Sequence, residues 1–275
     1  MAGREPRRPM STNPTRRYAV VTGASSGIGL ELARQFAENG FDLLVTAEDD
    51  ALAAAASELR GLGAAVDELQ VDLAGADGVD RLYGEISAAG RPVDAIALNA
   101  GIGAGGAFAT DTDLADELRL IDLNVRSTVH LAKHVVRDMV RRGEGRILFT
   151  SSIASTMPGT YQAVYNASKS FVQSFALALR NELKDTGVTV TSLMRGPTDT
   201  EFFERADMLD TKVGAGDKDD PAEVAQDGFE ALMNGDERVV SASMKTKLQG
   251  RFSRALPDSA KAAMHGDMAK PGSAD

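Results

Sequence analysis

Thr22-Gly23-Ala24-Ser25-Ser26-Gly27-Ile28-Gly29 follows a short apolar run, Tyr18-Ala19-Val20-Val21, and precedes Leu30-Glu31-Leu32-Ala33-Arg34-Gln35-Phe36-Ala37. The run reads as a buried parallel strand, and Ile28, Leu32 and Phe36 fall on one helical face. Strand, glycine-rich turn and helix in that order can cradle a dinucleotide pyrophosphate. Glycines permit close backbone approach, and the N–H groups of the first helical turn point at the anion. The spacing is Gly-x-x-x-Gly-x-Gly, not the Gly-x-Gly-x-x-Gly fingerprint. Alone, the stretch also fits a turn without a ligand, and it names no reaction.

Beyond it, Asn39-Gly40 is a helix stop. Residues 41–46, 66–71, 93–98, 146–150, 188–194 and 238–240 read as further strands. Residues 49–62, 79–89, 113–142 and 164–185 read as helices, and Pro221 opens another. Short apolar strands alternating with helices are buried on both faces. They predict an α/β fold: a Rossmann-like doubly wound sheet of about seven mostly parallel strands, with ligands at the strands' carboxyl ends. No internal repeat or linker divides the chain. The reading is one domain over residues 18–264 with a lid at 200–220, a disordered arm at 1–17 and a loose tail at 265–275. The arm carries five arginines against Glu5, and Met10 is a second candidate initiator.

The chain has 275 residues, 43% of them hydrophobic, enough for a full core. A net charge of −10 and a pI near 4.9 argue against nucleic-acid binding. With no cysteine, disulfides and thiolate catalysis are excluded. His130 and His134 lie four apart on an expected helix without the Glu of a His-Glu-x-x-His motif, so no metal is expected there. No apolar run reaches membrane-spanning length, and residues 1–17 lack the apolar middle of a secretory signal. The expectation is a soluble cytoplasmic protein with no membrane partner.

Polar residues cluster just after the expected strands: Gly23 to Gly29, Asp72, Asn99, Ser152, and Gly196 to Thr200. Each alone could cap a turn. In a parallel sheet, however, all these ends share one edge, so together they line one cleft. Tyr165 and Lys169 lie four apart on a helix, so phenol and ammonium share a face. A nearby cation favours the phenolate, drawing an ordinary phenol towards the range where it can exchange protons.

In these residues the chain resembles a short-chain dehydrogenase/reductase of the common single-domain type. The matches run from Thr22-Gly23-x-x-x-Gly27-Ile28-Gly29 through Asp72, Asn99-Ala100-Gly101, Asn124, Ser152 and Tyr165-x-x-x-Lys169 to Gly196-Pro197-Thr198-x-Thr200. The resemblance implies an NAD(P)-dependent oxidoreductase interconverting an alcohol and a ketone or aldehyde. It implies Tyr165 as general acid and base, and Lys169 on the nicotinamide ribose. Ser152 would bond the substrate oxygen, and Asn124 would position a water behind Lys169. The cofactor would lie on Gly23, Ser25, Ser26, Gly27, Ile28, Gly29, Glu48, Asp72, Leu73, Asn99, Ala100, Gly101, Tyr165, Lys169, Gly196, Thr198 and Thr200.

Two positions depart from the family. Leu98 replaces the first Asn of Asn-Asn-Ala-Gly. Arg195-Gly196 replaces Pro-Gly, adding a cation that faces either the cleft or solvent. Cofactor choice is read at the end of the second strand, where an acidic residue suits NAD and a basic one NADP. Glu48 there would repel a 2′-phosphate, so NAD is expected, with NADP open and Arg34 or another base as the route to it. Met157, Tyr161, Phe202, Phe203 and Met208 suggest a mainly apolar substrate, although lids also bury such residues to close themselves. Leu248, Phe252, Leu256 and Pro257 could cover the pocket or a neighbouring subunit. The long helices resemble the family's dimerisation helices, implying a homodimer or homotetramer. The alternative is a non-catalytic dinucleotide-binding sensor, which typically loses the Tyr or Lys present here.

Overall fold

The computed structural model describes residues 16–241 and 256–274. Seven parallel strands form one sheet in the order β3-β2-β1-β4-β5-β6-β7. They are Arg17–Thr22 (β1), Phe41–Ala47 (β2), Val66–Gln70 (β3), Ala95–Leu98 (β4), Gly145–Ser152 (β5), Val188–Arg195 (β6) and Arg238–Ser241 (β7). The helices are Gly27–Glu38 (α1), Ala51–Gly61 (α2), Ala76–Ala88 (α3), Leu114–Ile121 (α4), Thr128–Arg142 (α5) and Ala163–Glu182 (α6). Phe202–Arg205 (α7), Lys212–Ala215 (α8), Pro221–Asn234 (α9) and Asp258–Ala269 (α10) follow.

The two-residue period of β1 feeds both faces of the sheet. Ala19 and Val21 pack with Leu32 and Phe36 of α1 and Phe229 of α9. Tyr18 and Val20 pack with Leu82 of α3, Val135 of α5 and Val172 of α6. Edge-to-face contacts of Phe36 with Phe41 at 5.1 Å and Phe229 at 5.2 Å fasten α1 to the sheet and to α9. Each such pair is worth about 0.5–1.5 kcal/mol beyond its buried area. The chain winds outward through β1, β2 and β3, then returns to place β4 on the other side of β1, with Val20 beside Ile96. A crevice at the carboxyl ends follows from that reversal.

The region expected as a long helix, 113–142, is α4 and α5 joined by a π turn, Asp122–Ser127. Asn124 lies in that turn, and its carboxamide takes the N–H and carbonyl of Ile102, both at 2.9 Å. Such π turns recur at functional sites.

Both ends differ from the sequence expectation. The arm read as residues 1–17 is ordered at its end, because Arg17 begins β1. Arg16 joins Arg91 in pairing Asp42, a carboxylate only 1% exposed that needs cations where it is buried. Residues 1–15, with Met10, and Leu248 and Phe252 lie outside the described residues. The tail expected to be loose over residues 265–275 is helical as far as Ala269, where α10 ends. There His265 Nδ1 lies 2.9 Å from the Thr160 carbonyl, and Ala269 packs against Phe203 and Met208.

Burial holds the His265 imidazole below its ordinary range, against a smaller upward pull from the Thr160 carbonyl. In the unfolded chain the ring therefore takes up a proton at higher pH than in the folded one. Docking of α10 is expected to be fully stable above the unfolded pKa of about 6.5 and to weaken as pH falls through the lower folded value. Amide exchange across residues 258–269 at pH 7.5 and 5.0 measures this. Equal protection at both, or the same loss in His265→Asn, would exclude His265 as the cause.

Candidate active site

At the crevice, the turns after β1 and β4 clasp each other. Thr22 Oγ1 accepts the N–H groups of Asn99 and Ala100, both at 3.0 Å. Asn99 Nδ2 donates to the carbonyls of Thr22 and Gly23. Gly23 and Gly27 have φ of +66° and +54°, conformations that favour glycine. A Cβ on Gly29 would stand 1.8 Å from the Gly23 carbonyl oxygen. No side chain caps α1 at Ser26, and its first turn holds no acid. Its leading N–H groups are left for a ligand at the positive end of the helix. The cradle fits a pyrophosphate.

The part of the cleft beside β2 and β3 carries a residue that the sequence did not single out. Arg119 of α4 bridges Glu48, after β2, and Asp72, after β3, with 2.9 Å to Asp72. Partial burial raises Asp72, but the Arg119 bond, the Ala74 N–H and the Arg119 charge outweigh it and hold the carboxyl below its ordinary range. Ser25 donates to Asp49 at 2.9 Å. Arg34, the base named from sequence, pairs with Glu31 and Glu58 instead.

The other end holds Lys169, Thr200, Arg195 and Phe202 on the cleft wall. Lys169 Nζ donates to the Thr150 carbonyl at 3.0 Å. Burial first, then the charge of Arg195, lowers its pKa to about 7. Tyr165 and Ser152 lie just beneath, 4% and 5% exposed. The cation that hydrogen-bonds the phenol is Arg195, with Nη2 at 3.1 Å, while Lys169 Nζ stands 5.9 Å from the ring centre. Arg195 therefore turns into the cleft, away from solvent. The Phe202 ring covers both, 5.2 Å from the Tyr165 ring and 4.6 Å from the Arg195 guanidinium carbon. Ser152 Oγ donates to the Arg195 carbonyl at 3.3 Å and accepts from Ala154 N–H at 3.1 Å.

A family profile described as short chain dehydrogenase matches residues 17–209. The chain belongs to the short chain dehydrogenase family. It is 36% identical over 196 residues to a short-chain type dehydrogenase/reductase of Sinorhizobium fredii, covering 70% of this chain and 75% of the relative. It is 34% identical over 184 residues to sulfoacetaldehyde reductase 2 of Chromohalobacter salexigens, covering 66% and 73%. Among solved structures, the NADPH complex of a Sphingobium yanoikuyae short-chain dehydrogenase superposes with a TM-score of 0.77 at 27% identity. That superposition covers 88% of this chain and 96% of the other.

Measured against its family pattern, this short chain dehydrogenase brings most of the expected residues to one wall. Gly23, Ser25, Ser26, Gly27, Ile28, Gly29, Glu48, Asp72, Leu73, Asn99, Ala100, Gly101, Lys169 and Thr200 line the cleft. Gly196 and Thr198 are not among its lining residues. Thr198 is fully buried with its hydroxyl on the Gly196 carbonyl at 3.0 Å, because a bridge to Asp219 folds this turn inward. The apolar lid residues also depart from expectation. Phe203 and Met208 close a cluster of their own with Ala206 and Ala269, and Phe202 is the ring that reaches the cleft. Away from the cleft, His134 stacks on Tyr83 at 4.3 Å and His130 Nε2 pairs with Asp80 at 3.1 Å. Among the described residues no helix is long and apolar enough to cross a membrane.

Proposed function

We propose that the chain interconverts an alcohol and a ketone or aldehyde with a nicotinamide dinucleotide. The observation that carries the reading is the grouping of Asn124 and Lys169 against Gly101, with Tyr165 and Ser152 both bonded to Arg195, beside a glycine cradle that fits a pyrophosphate. A relative named for sulfoacetaldehyde reduction and a structural neighbour holding NADPH support it.

When bound in the cradle, a nicotinamide dinucleotide would supply or accept the hydride. In reduction the Tyr165 hydroxyl delivers a proton to the substrate oxygen, and in oxidation it takes the proton back. Ser152 Oγ turns from the Arg195 carbonyl to donate to that oxygen, favouring the charge that develops on it. Lys169 would hold the ribose hydroxyls, and Asn124 fixes the Ile102 backbone against the same wall. Proton transfer of this kind contributes about 10²–10⁴-fold in rate, and positioning supplies much of the remainder.

We further propose NAD as the preferred form. A 2′-phosphate at the end of β2 would meet the carboxylates of Glu48, Asp49 and Asp72, with Arg119 already committed to two of them. Ribose hydroxyls would instead find acceptors. The test is the absorbance change at the nicotinamide band across ketones, aldehydes, oxo acids and alcohols. The expected result is turnover with kcat/KM higher for NADH than for NADPH. An NADPH advantage would overturn the preference and assign Arg119 to the phosphate, while a silent panel would overturn the reaction.

A further inference from the structure

We propose that Arg195 is the receptor for an anionic group on the substrate, so that the enzyme acts on oxo or hydroxy acids. The carboxylate or sulfonate would stand one or two carbons from the reacting carbon. The inference deepens the oxidoreductase reading above and rests on it.

Arg195 ends β6, 8% exposed. Its guanidinium carries five N–H donors in a planar fork. Its side-chain contacts are the Tyr165 hydroxyl at 3.1 Å, a long contact to the Gly196 carbonyl at 3.5 Å and the face of Phe202. Among the described residues it forms no ion pair. Of the acids on the following turn, Glu201 pairs with Arg205, and Asp199 is exposed. The contrast within this molecule is Asp42, a buried charge that receives two arginines. A buried cation left without an anion is costly, and here it shares the cleft wall with a second one, Lys169. Burial first, and then the charge of Arg195, lowers that lysine's pKa to about 7.

Placement decides what kind of anion answers it. Arg195 touches the same phenolic oxygen that must meet the substrate's reacting oxygen. Hydrogen bonds of about 2.7–3.2 Å on each side leave room for a carboxylate on the adjacent or next carbon, which the fork can grip through two N–H groups. Phe202, on the short α7, lies over both groups and must lift for the substrate to enter. Its present seat exists because Gly103 has no side chain; a Cβ there would be 2.4 Å from the ring.

The experiment compares kcat/KM for pyruvate with methyl pyruvate and for acetoacetate with methyl acetoacetate. Wild type is expected to prefer the acid of at least one pair. Arg195→Met is expected to lose at least about tenfold more on that acid than on its ester, chiefly through KM, as loss of a charged recognition contact does. Arg195→Lys should recover part of the preference, and Arg195→Gln replaces the methionine variant if that one does not fold. Equal use of acid and ester by wild type, or an equal loss on both in the variant, overturns the proposal while leaving the oxidoreductase reading intact. If no compound turns over, calorimetry with malonate and NADH decides. Arg195-dependent malonate binding supports the anion receptor and sinks the reaction assignment, whereas its absence overturns the receptor.

Discussion

Tyr165→Phe is expected to lower kcat by about 10²–10⁴-fold, the usual contribution of a positioned proton donor, while dinucleotide affinity changes far less. The ring sits beneath Phe202 and Arg195, almost wholly buried, so phenylalanine keeps the packing and loses only the oxygen. The lost partner is a charged donor, and such hydrogen bonds contribute about 1.5–3 kcal/mol. A modest drop in melting temperature should therefore accompany the kinetic loss without unfolding the protein. Steady-state kinetics on the best substrate, dinucleotide titration by fluorescence and a thermal melt separate the three effects. Activity close to wild type would remove Tyr165 from the chemistry, whereas a wild type silent on every ketone, aldehyde and alcohol would favour the non-catalytic sensor reading.

The residues that could be placed from sequence share one property: their position follows from local periodicity. An apolar run of four to six residues ends somewhere definite, and in a parallel sheet that end faces the ligand edge. Gly23, Asp72, Asn99 and Ser152 could be assigned to one edge for that reason. Arg119 could not, because its bridge to Glu48 spans 71 positions and depends on how α4 crosses the sheet edge. Arg195 was visible as a departure, but a strand's last residue can turn either way. Its direction is set by Tyr165, Gly196 and Phe202, none of which the local pattern ties to it. Part of the apolar lid serves its own packing: Phe203 and Met208 pack with Ala269 of α10, a helix whose Ala- and Met-bearing sequence carries a weak amphipathic signal. The acid proposed as substrate is argued from Arg195 and not from these apolar side chains.

The same substitution in two helices should have opposite signs, and the difference tests the cradle. Gly84 lies inside α3, and an alanine Cβ at that position would meet no atom within 4 Å. Gly84→Ala should stabilise the protein by about 0.5–1 kcal/mol, the ordinary gain of alanine over glycine in a helix. Gly29→Ala would gain the same local preference, but its Cβ would sit 1.8 Å from the Gly23 carbonyl oxygen and 2.6 Å from Asn99 Nδ2. A backbone carbonyl cannot swing aside as a flexible side chain does. Relief requires α1 to lift from its turn, parting the clasp that Asn99 makes with Thr22 and Gly23. Overpacking of this kind costs about 1–3 kcal/mol or more, enough to override the helical gain and lower the melting temperature. Displacement of the first turn also misaims the N–H groups that face the pyrophosphate, so dinucleotide binding should fall below detection in a fluorescence titration. Binding in Gly29→Ala equal to that in Gly84→Ala would show that the dinucleotide does not depend on this close approach, and the cradle would have to be sought elsewhere on the sheet edge.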